Sequence, residues 1–353
     1  MKSLEETLAE YDYSFDSGLI ATEPASPRDS AKLLVYKRET GERFFDTFAN
    51  IGKYLPKNCV VVLNDTKVFP ARLHVKKITG GRVEVFYVGT TKCSGRGYKP
   101  RPADDGCILA LTNHFLEVGE KVFLTDTIFF ECLGKEDKIY TLLPSFPVGD
   151  VQKVFMKYGE TPIPPYIKNT KLSETQLREK YQTVFAKKTG SVAAPTASLH
   201  FTEELLEKLK QQGIQIEFVT LHVNLGTFAP LTEEALKTGK LHKEWYEIPE
   251  KTAKALVVAK KEGRPIIAVG TTAVRTLEQS EGKAGSGETQ LFIREGVQFK
   301  FIDGMITNFH VPKSSLLMLV AAFVGREKLF ELYGEAIKKD FRLFSFGDGM
   351  LLF

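Results

Sequence analysis

Two segments, Cys59-Val60-Val61-Val62-Leu63 and Ile266-Ile267-Ala268-Val269, are apolar at every position. A strand with one face in water alternates apolar and polar side chains, and a run this short makes no stable helix on its own. Both therefore read as strands covered on both faces, the environment of a sheet between layers of helix. Helix signals in the second half of the chain supply those layers. Ser173-Glu174-Thr175-Gln176 has the form of a capping box. Thr202 is placed to cap a helix that Gly213 stops, Pro249 opens one that runs to Gly263, and Thr272 opens the next. Ile214 to Val223 reads as a strand, and residues 314–324 and 327–339 as helices. This alternation predicts a mainly parallel α/β domain.

The middle of the chain follows another pattern. No helix signal interrupts residues 72–143, where Arg82 to Tyr87, Cys107 to Leu111, Lys121 to Leu124, Thr127 to Cys132 and Lys138 to Leu143 read as short strands. Such a series predicts a small antiparallel barrel or sandwich. Lys32 to Tyr36 and Arg43 to Phe45, joined across Thr40-Gly41, read as a hairpin. The strands up to about Val68 can join the α/β sheet, which makes the β region an insertion. Gly282 to Gly287 reads as a flexible loop.

Composition narrows the class. Hydrophobic residues make up 43% and charged residues 26% of the chain, ordinary for a soluble globular protein and too apolar for a disordered one. The stretch Leu316 to Val324 is far shorter than a bilayer span, and the acidic N-terminus lacks the apolar core of a secretory signal, so no membrane partner is expected. Cys59, Cys93, Cys107 and Cys132 form no CxxC pair. That argues against a zinc ribbon or a disulfide scaffold and fits a reducing cytoplasm. A net charge of +4 permits an anionic partner such as RNA without requiring one. A P-loop, an HExxH helix and a GxSxG elbow are absent from the sequence.

In an α/β domain, chemistry gathers at strand ends and the loops after them. Asn64-Asp65-Thr66-Lys67 follows a buried strand directly. The small residues Ala193, Ala194, Pro195 and Thr196 let a ligand approach the backbone closely. His222 ends a strand near Thr227, and a histidine there titrates close to neutrality. Gly270, Thr271, Thr272 and Arg275 offer a glycine, hydroxyls and a guanidinium on a first helical turn, suited to an anion or a ribose. Asn308 and His310 point to one side of a strand whose exit Pro312 fixes. His200, His222 and His310 match no compact zinc spacing, so no metal is expected.

These segments occur in order, with Arg72 closing the first, and with Thr161-Pro162-Ile163-Pro164-Pro165-Tyr166-Ile167 and Tyr181-Gln182-Thr183-Val184-Phe185 before the small-residue loop. From about Tyr13 to Leu352 the chain closely resembles the S-adenosylmethionine:tRNA ribosyltransferase-isomerases of queuosine biosynthesis. The resemblance implies a barrel-like α/β main domain, residues 1–71 and 144–353, carrying an inserted antiparallel β-barrel, residues 72–143. It implies a cytoplasmic monomer that moves the ribosyl part of S-adenosylmethionine onto 7-aminomethyl-7-deazaguanine at a tRNA wobble position. Epoxyqueuosine forms, and adenine and methionine leave. S-adenosylmethionine is then a co-substrate, with no permanently bound cofactor. The sulfonium acidifies the 5′ carbon, for which His222 and His310 are candidate bases and Asp65 the next. Ala193, Ala194, Pro195, Thr196, Gly270, Thr271, Thr272 and Asn308 are expected around the donor, and Arg275 on its carboxylate or on an RNA phosphate. Asn64, Asp65 and Asn308 suit the departing adenine. Tyr166 or Tyr181 suits stacking, and Arg72, Gln182 and Thr227 the substrate side.

The sequence departs from the family pattern at Ser198 and Asn224, where the family has glycine, and at Gly239, where it has histidine. Two further readings follow: a divergent relative using the same donor on another base or RNA, and an inactive RNA-binding relative. Lys92, Arg96, Lys99 and Arg101 around Tyr98 read as a basic finger for tRNA phosphates, with Lys180, Lys187 and Lys188 as the alternative surface.

Overall fold

The computed structural model describes residues 3–93, 106–224 and 231–353. The chain divides into two compact units, Met1–Lys67 with Ile163–Phe353, and Val68–Pro162. Along the chain come α1 (Leu4–Ala9), β1 (Lys32–Tyr36), β2 (Arg43–Thr47), β3 (Val60–Asn64) and β4 (Thr66–Val68). The smaller unit follows with β5 (Arg72–Lys77), β6 (Arg82–Thr91), β7 (Cys107–Thr112), β8 (Lys121–Phe123), β9 (Phe129–Glu136), β10 (Ile139–Pro144) and α2 (Val151–Tyr158). Next are α3 (Glu174–Lys180), β11 (Lys188–Ser191), α4 (Glu203–Gln211), β12 (Gln215–Leu221), α5 (Glu233–Thr238), β13 (Lys240–Ile248) and α6 (Glu250–Lys261). The chain ends with β14 (Ile266–Val269), α7 (Gly270–Ser280), β15 (Gly285–Leu291), β16 (Gly304–Asn308), α8 (Ser315–Val324), α9 (Arg326–Lys338) and β17 (Gly349–Leu352).

The sheet of the larger unit has the order β15-β13-β12-β3-β14-β16-β17-β1-β2. The all-apolar runs β3 and β14 lie at its centre, parallel to each other, with β12 and β16 parallel on either side. Every residue of both runs is buried, and alternation sends them to two cores. Val60, Val62, Ile266 and Ala268 pack with Leu256, Leu277 and Val320 from α6, α7 and α8. Val61, Leu63, Ile267 and Val269 pack with Leu205 and Leu209 of α4. Away from the centre, β13 and β15 pair antiparallel, as do β16 with β17 and β1 with β2. The sheet is thus mixed where a mainly parallel one was expected. Its order is linear, with β15 and β2 at its edges, and not that of a closed barrel.

Full closure belongs to the smaller unit, a six-stranded antiparallel barrel ordered β10-β7-β6-β5-β8-β9. Phe155 of the amphipathic α2 packs its ring on Phe69 and Tyr87, so this unit reaches beyond residues 72–143 at both ends. Cys93 and Cys107 are joined in a disulfide, against the expectation from their spacing. The β6–β7 register explains it. Thr91 lies opposite Cys107, so the two cysteines are cross-strand neighbours although 14 positions apart in sequence. Gly285-Ser286-Gly287, expected as loop, opens β15 and pairs with β13. The Ser173 capping box, the Thr202 cap and the Gly213 stop are present: Ser173 accepts from Gln176 N, Thr202 accepts from Leu205 N, and Gly213 turns left-handed at φ +81, whereas the helix expected to open at Thr272 starts at Gly270 with no side-chain cap.

Asn64 holds the centre of the sheet together where β3 and β12 part. The last backbone register pair is Asn64 with Val219. Beyond it the Asn64 side chain continues the ladder: Nδ2 donates to Leu221 O at 3.0 Å, and Oδ1 accepts from Leu221 N at 3.0 Å and Thr66 N at 3.1 Å. Asn64→Leu strands these buried backbone groups. It should lower unfolding stability by roughly 2–4 kcal/mol, measured by urea denaturation with an unchanged m-value.

Candidate active site

β14 passes into α7 with no loop between them. Gly270, at φ +81, makes the turn in a region closed to most side chains, and it aims the helix N-terminus past the end of the sheet. A cavity of about 410 Å³ lies there, bounded also by the small-residue loop and the end of β16. Ala193, Ala194, Pro195, Thr196, Gly270, Thr271, Thr272, Asn308, His310 and Tyr166 all line it. Val223, Phe309, Val311, Leu316 and Phe344 make most of its wall apolar.

The polar groups of the cavity are few and well held. Asn308 Nδ2 donates to Phe344 O at 3.0 Å, while its Oδ1 is buried without a partner. Thr272 Oγ1 is likewise buried and unpaired. Tyr166 OH and Ser345 Oγ are 2.6 Å apart, and burial pushes the phenol up to about 12, so it stays protonated. His310 is fixed at three points. Its N–H donates to Tyr333 OH at 2.8 Å, its carbonyl accepts from Tyr13 OH at 2.6 Å, and its Nε2 is 2.8 Å from Thr307 Oγ1. Burial lowers its pKa to about 4, which keeps the imidazole neutral at pH 7.

The other expected residues lie elsewhere. Leu221 and Val223 pack with Ala193 and Tyr246 on the cavity side. Alternation turns His222 the other way, onto Trp245, with ring centroids 5.0 Å apart and an interplanar angle of 22°. Thr66 Oγ1 holds its Nδ1 at 2.8 Å, and a Cβ on Gly190 would stand 2.6 Å from its Nε2, so only glycine fits beneath this ring. Asp65 is buried, accepts from Thr220 Oγ1 at 2.6 Å, and has its pKa raised by that burial. Asn64 is spent on the sheet. Tyr181 is fully buried, and the carbonyl of Gln182 accepts from Arg28 at 2.6 Å. Arg72 belongs to the barrel, 3.5 Å from Glu84. None of His222, Asp65, Asn64, Tyr181, Gln182 and Arg72 lines the cavity. Thr227 lies outside the described residues, as do Arg96, Tyr98, Lys99 and Arg101 of the proposed finger.

Arg275 differs most from its expected role. It is buried, ion-paired with Glu244 of β13, and its Nε donates to Leu291 O at 3.2 Å. It ties α7 to β13 and β15 and does not face the cavity. Glu244 was not legible as its partner, because Lys240-Leu241-His242-Lys243-Glu244 has the look of a solvated segment. Tyr13 and Tyr333 were also missed, since they reach His310 from distant parts of the chain, and Thr307, only three residues away, was read as part of a strand end. The departures from the family pattern stay out of the cavity. Ser198 is fully buried, Asn224 donates to Lys243 O at 3.0 Å, and Gly239 closes α5 in the left-handed conformation. Among the described residues no cluster of three or more His, Cys, Asp or Glu could hold a metal, and no helix is long and apolar enough to cross a membrane.

The chain combines a closed antiparallel barrel with an α/β unit that carries a cavity at its strand ends, and comparison places it in one enzyme family. The chain belongs to it: the family described as queuosine biosynthesis protein matches residues 8–352. Among its relatives, the S-adenosylmethionine:tRNA ribosyltransferase-isomerase of Aquifex aeolicus is 44% identical over 352 residues, covering 98% of this chain and 99% of that one. The protein of the same name from Thermotoga petrophila is 42% identical over 354 residues, with the same coverage. The crystal structure of the S-adenosylmethionine tRNA ribosyltransferase from Thermotoga maritima matches over 98% of this chain and all of that one, with a TM-score of 0.55 and 31% identity.

Removing one partner of a buried ion pair leaves the other charge uncompensated. Arg275→Ala should therefore cost roughly 3–5 kcal/mol of stability, and Arg275→Met with Glu244→Leu much less. Chemical unfolding followed by the fluorescence of Trp245, the chain's sole tryptophan, checks this.

Proposed function

We propose that this chain transfers and isomerises the ribosyl moiety of S-adenosylmethionine onto 7-aminomethyl-7-deazaguanine at the wobble position of a tRNA. The products are epoxyqueuosine in the tRNA, adenine and methionine. The observation that carries this reading is the strand-end cavity. Its volume falls in the ~300–1,000 Å³ range of small-molecule sites. Its wall is largely apolar, which suits the methylene groups and the base faces of such a donor, and its buried unpaired oxygens are a hydroxyl and an amide oxygen. The donor is a co-substrate that enters and leaves this cavity. Reaction on tRNA places the protein in the cytoplasm.

His310 is the proton acceptor in this scheme. The reaction starts at the 5′ carbon, whose protons the neighbouring sulfonium acidifies. A base there has to be neutral when the donor binds, and the buried imidazole is. If Nε2–H donates to Thr307 Oγ1, the lone pair sits on Nδ1, the ring nitrogen with no partner among the described residues. Asn308 Oδ1 accepts from the exocyclic amine of adenine, which steadies the base as its bond to the ribose breaks. His222, on the other side of the strand, takes no part in that step.

The activity is tested by incubating the protein with S-adenosylmethionine and tRNA carrying the deazaguanine precursor. Adenine release with a matching mass gain on the nucleoside is the expected result. Adenine release only with another acceptor would favour the divergent relative, and RNA binding without adenine would favour the inactive one. His310→Ala should slow adenine release about 10²-fold or more, whereas His222→Ala should slow it far less. The pH profile follows from the depressed pKa of His310. Its basic form is present above that pKa and lost as pH falls through about 4. Single-turnover rates should therefore stay level from pH 8 to about 5.5, where an ordinary histidine near 6.5 would already have lost most of its base form. An acid limb centred near 6.5 would remove His310 from the role.

A further inference from the structure

We infer that the N-terminus of α7, with the Thr272 hydroxyl, is the subsite for the donor's methionyl carboxylate, and that it binds this anion without a cationic side chain. The inference rests on reading the cavity as the S-adenosylmethionine site.

Three observations meet at one place. α7 runs from Gly270 to Ser280 and no side chain caps it, so its first-turn N–H groups lack partners within the helix. The positive end of the helix dipole adds to their pull on an anion. Thr272, in that first turn, is 9% exposed, and its Oγ1 has no partner. A Cβ built on Gly270 would lie 3.5 Å from this oxygen, so the absent side chain leaves the hydroxyl and the turn open to the same ligand group. A natural helix rarely buries both an uncapped end and an idle hydroxyl unless a ligand completes them.

The cations nearby are already engaged. Arg275 pairs with Glu244 and Leu291 O, and although its Nη2 is buried without a partner it does not line the cavity. Lys313, which lines the cavity, is 2.8 Å from Asp12. No carboxylate lines the cavity among the described residues, so an incoming anion meets no repulsion. The other buried unpaired oxygen of the cavity, Asn308 Oδ1, is an acceptor and would repel a carboxylate. That assigns the anion to the α7 end and leaves Asn308 for an N–H group of the donor.

The test is calorimetric titration of the wild type, Thr272→Val and Thr272→Ser with S-adenosylmethionine and with its decarboxylated analogue. Thermal melts confirm that each variant is folded. The wild type should prefer the carboxylated ligand by roughly ten- to a hundredfold, the worth of a charge-assisted contact. Thr272→Val should erase most of that preference by weakening only the carboxylated ligand, and Thr272→Ser should restore it. Equal weakening of both ligands by Thr272→Val, or no preference in the wild type, overturns the subsite. Failure of the wild type to bind either ligand overturns the donor-site reading itself, and the inference with it.

Discussion

At Gly270 the chain leaves a fully buried strand and enters a helix at the next residue, and the cavity depends on that turn. β14 cannot shift, because parallel neighbours hold it on both sides in a fixed register. α7 cannot swing, because Arg275 binds Glu244 and the Leu291 carbonyl, and because nearly its whole length is buried. The hydroxyls of Thr276 and Ser280 bond back to Thr272 O and Thr276 O along the helix. With both elements pinned, the helix end projects into the space beyond the sheet. The conformation at φ +81 costs glycine little and strains residues with a Cβ. The walls of the cavity are thus fixed by contacts within the chain, and Thr272 Oγ1 and Asn308 Oδ1 are buried there without a partner.

Strand alternation decides which histidine faces the cavity. Val223 and His222 are consecutive, yet one lines the cavity and the other stacks on Trp245 across the sheet. Residue type alone made the two histidines equal candidates. Geometry separates them: His222 does not line the cavity, and His310 does. Tyr13 and Tyr333 fix its backbone, Thr307 engages one ring nitrogen, and burial keeps it neutral. Asp65 and Asn64 follow the same logic in the opposite direction. Both stand at the end of a buried strand, as catalytic residues often do, but their polar atoms serve β12.

The sequence was most legible where one physical cause dominates. Unbroken apolar runs revealed β3 and β14, cap chemistry revealed α3 and α4, and the lack of helix signals revealed the barrel. The lining of the cavity was also visible, since small residues, glycine and hydroxyls at strand ends have few other uses in such number. What stayed hidden depends on pairing between distant segments. β13 carries charges along most of its length, and only its partners β12 and β15 make it a strand. Arg275 looked like an anion clamp because its acid lies on that strand. The disulfide was concealed by the connection between Cys93 and Cys107, which separates in sequence what the barrel register brings together.

The central claim is that the donor binds at the strand ends, between the α7 N-terminus and His310, and not on the His222–Trp245 face. A crystal structure of the protein with S-adenosylmethionine tests it most directly. The account predicts donor density in the cavity, with a carboxylate at the first turn of α7, an N–H group on Asn308 Oδ1, and the 5′ carbon facing the His310 ring. Donor density against Trp245 and His222, with the cavity unfilled, would contradict it.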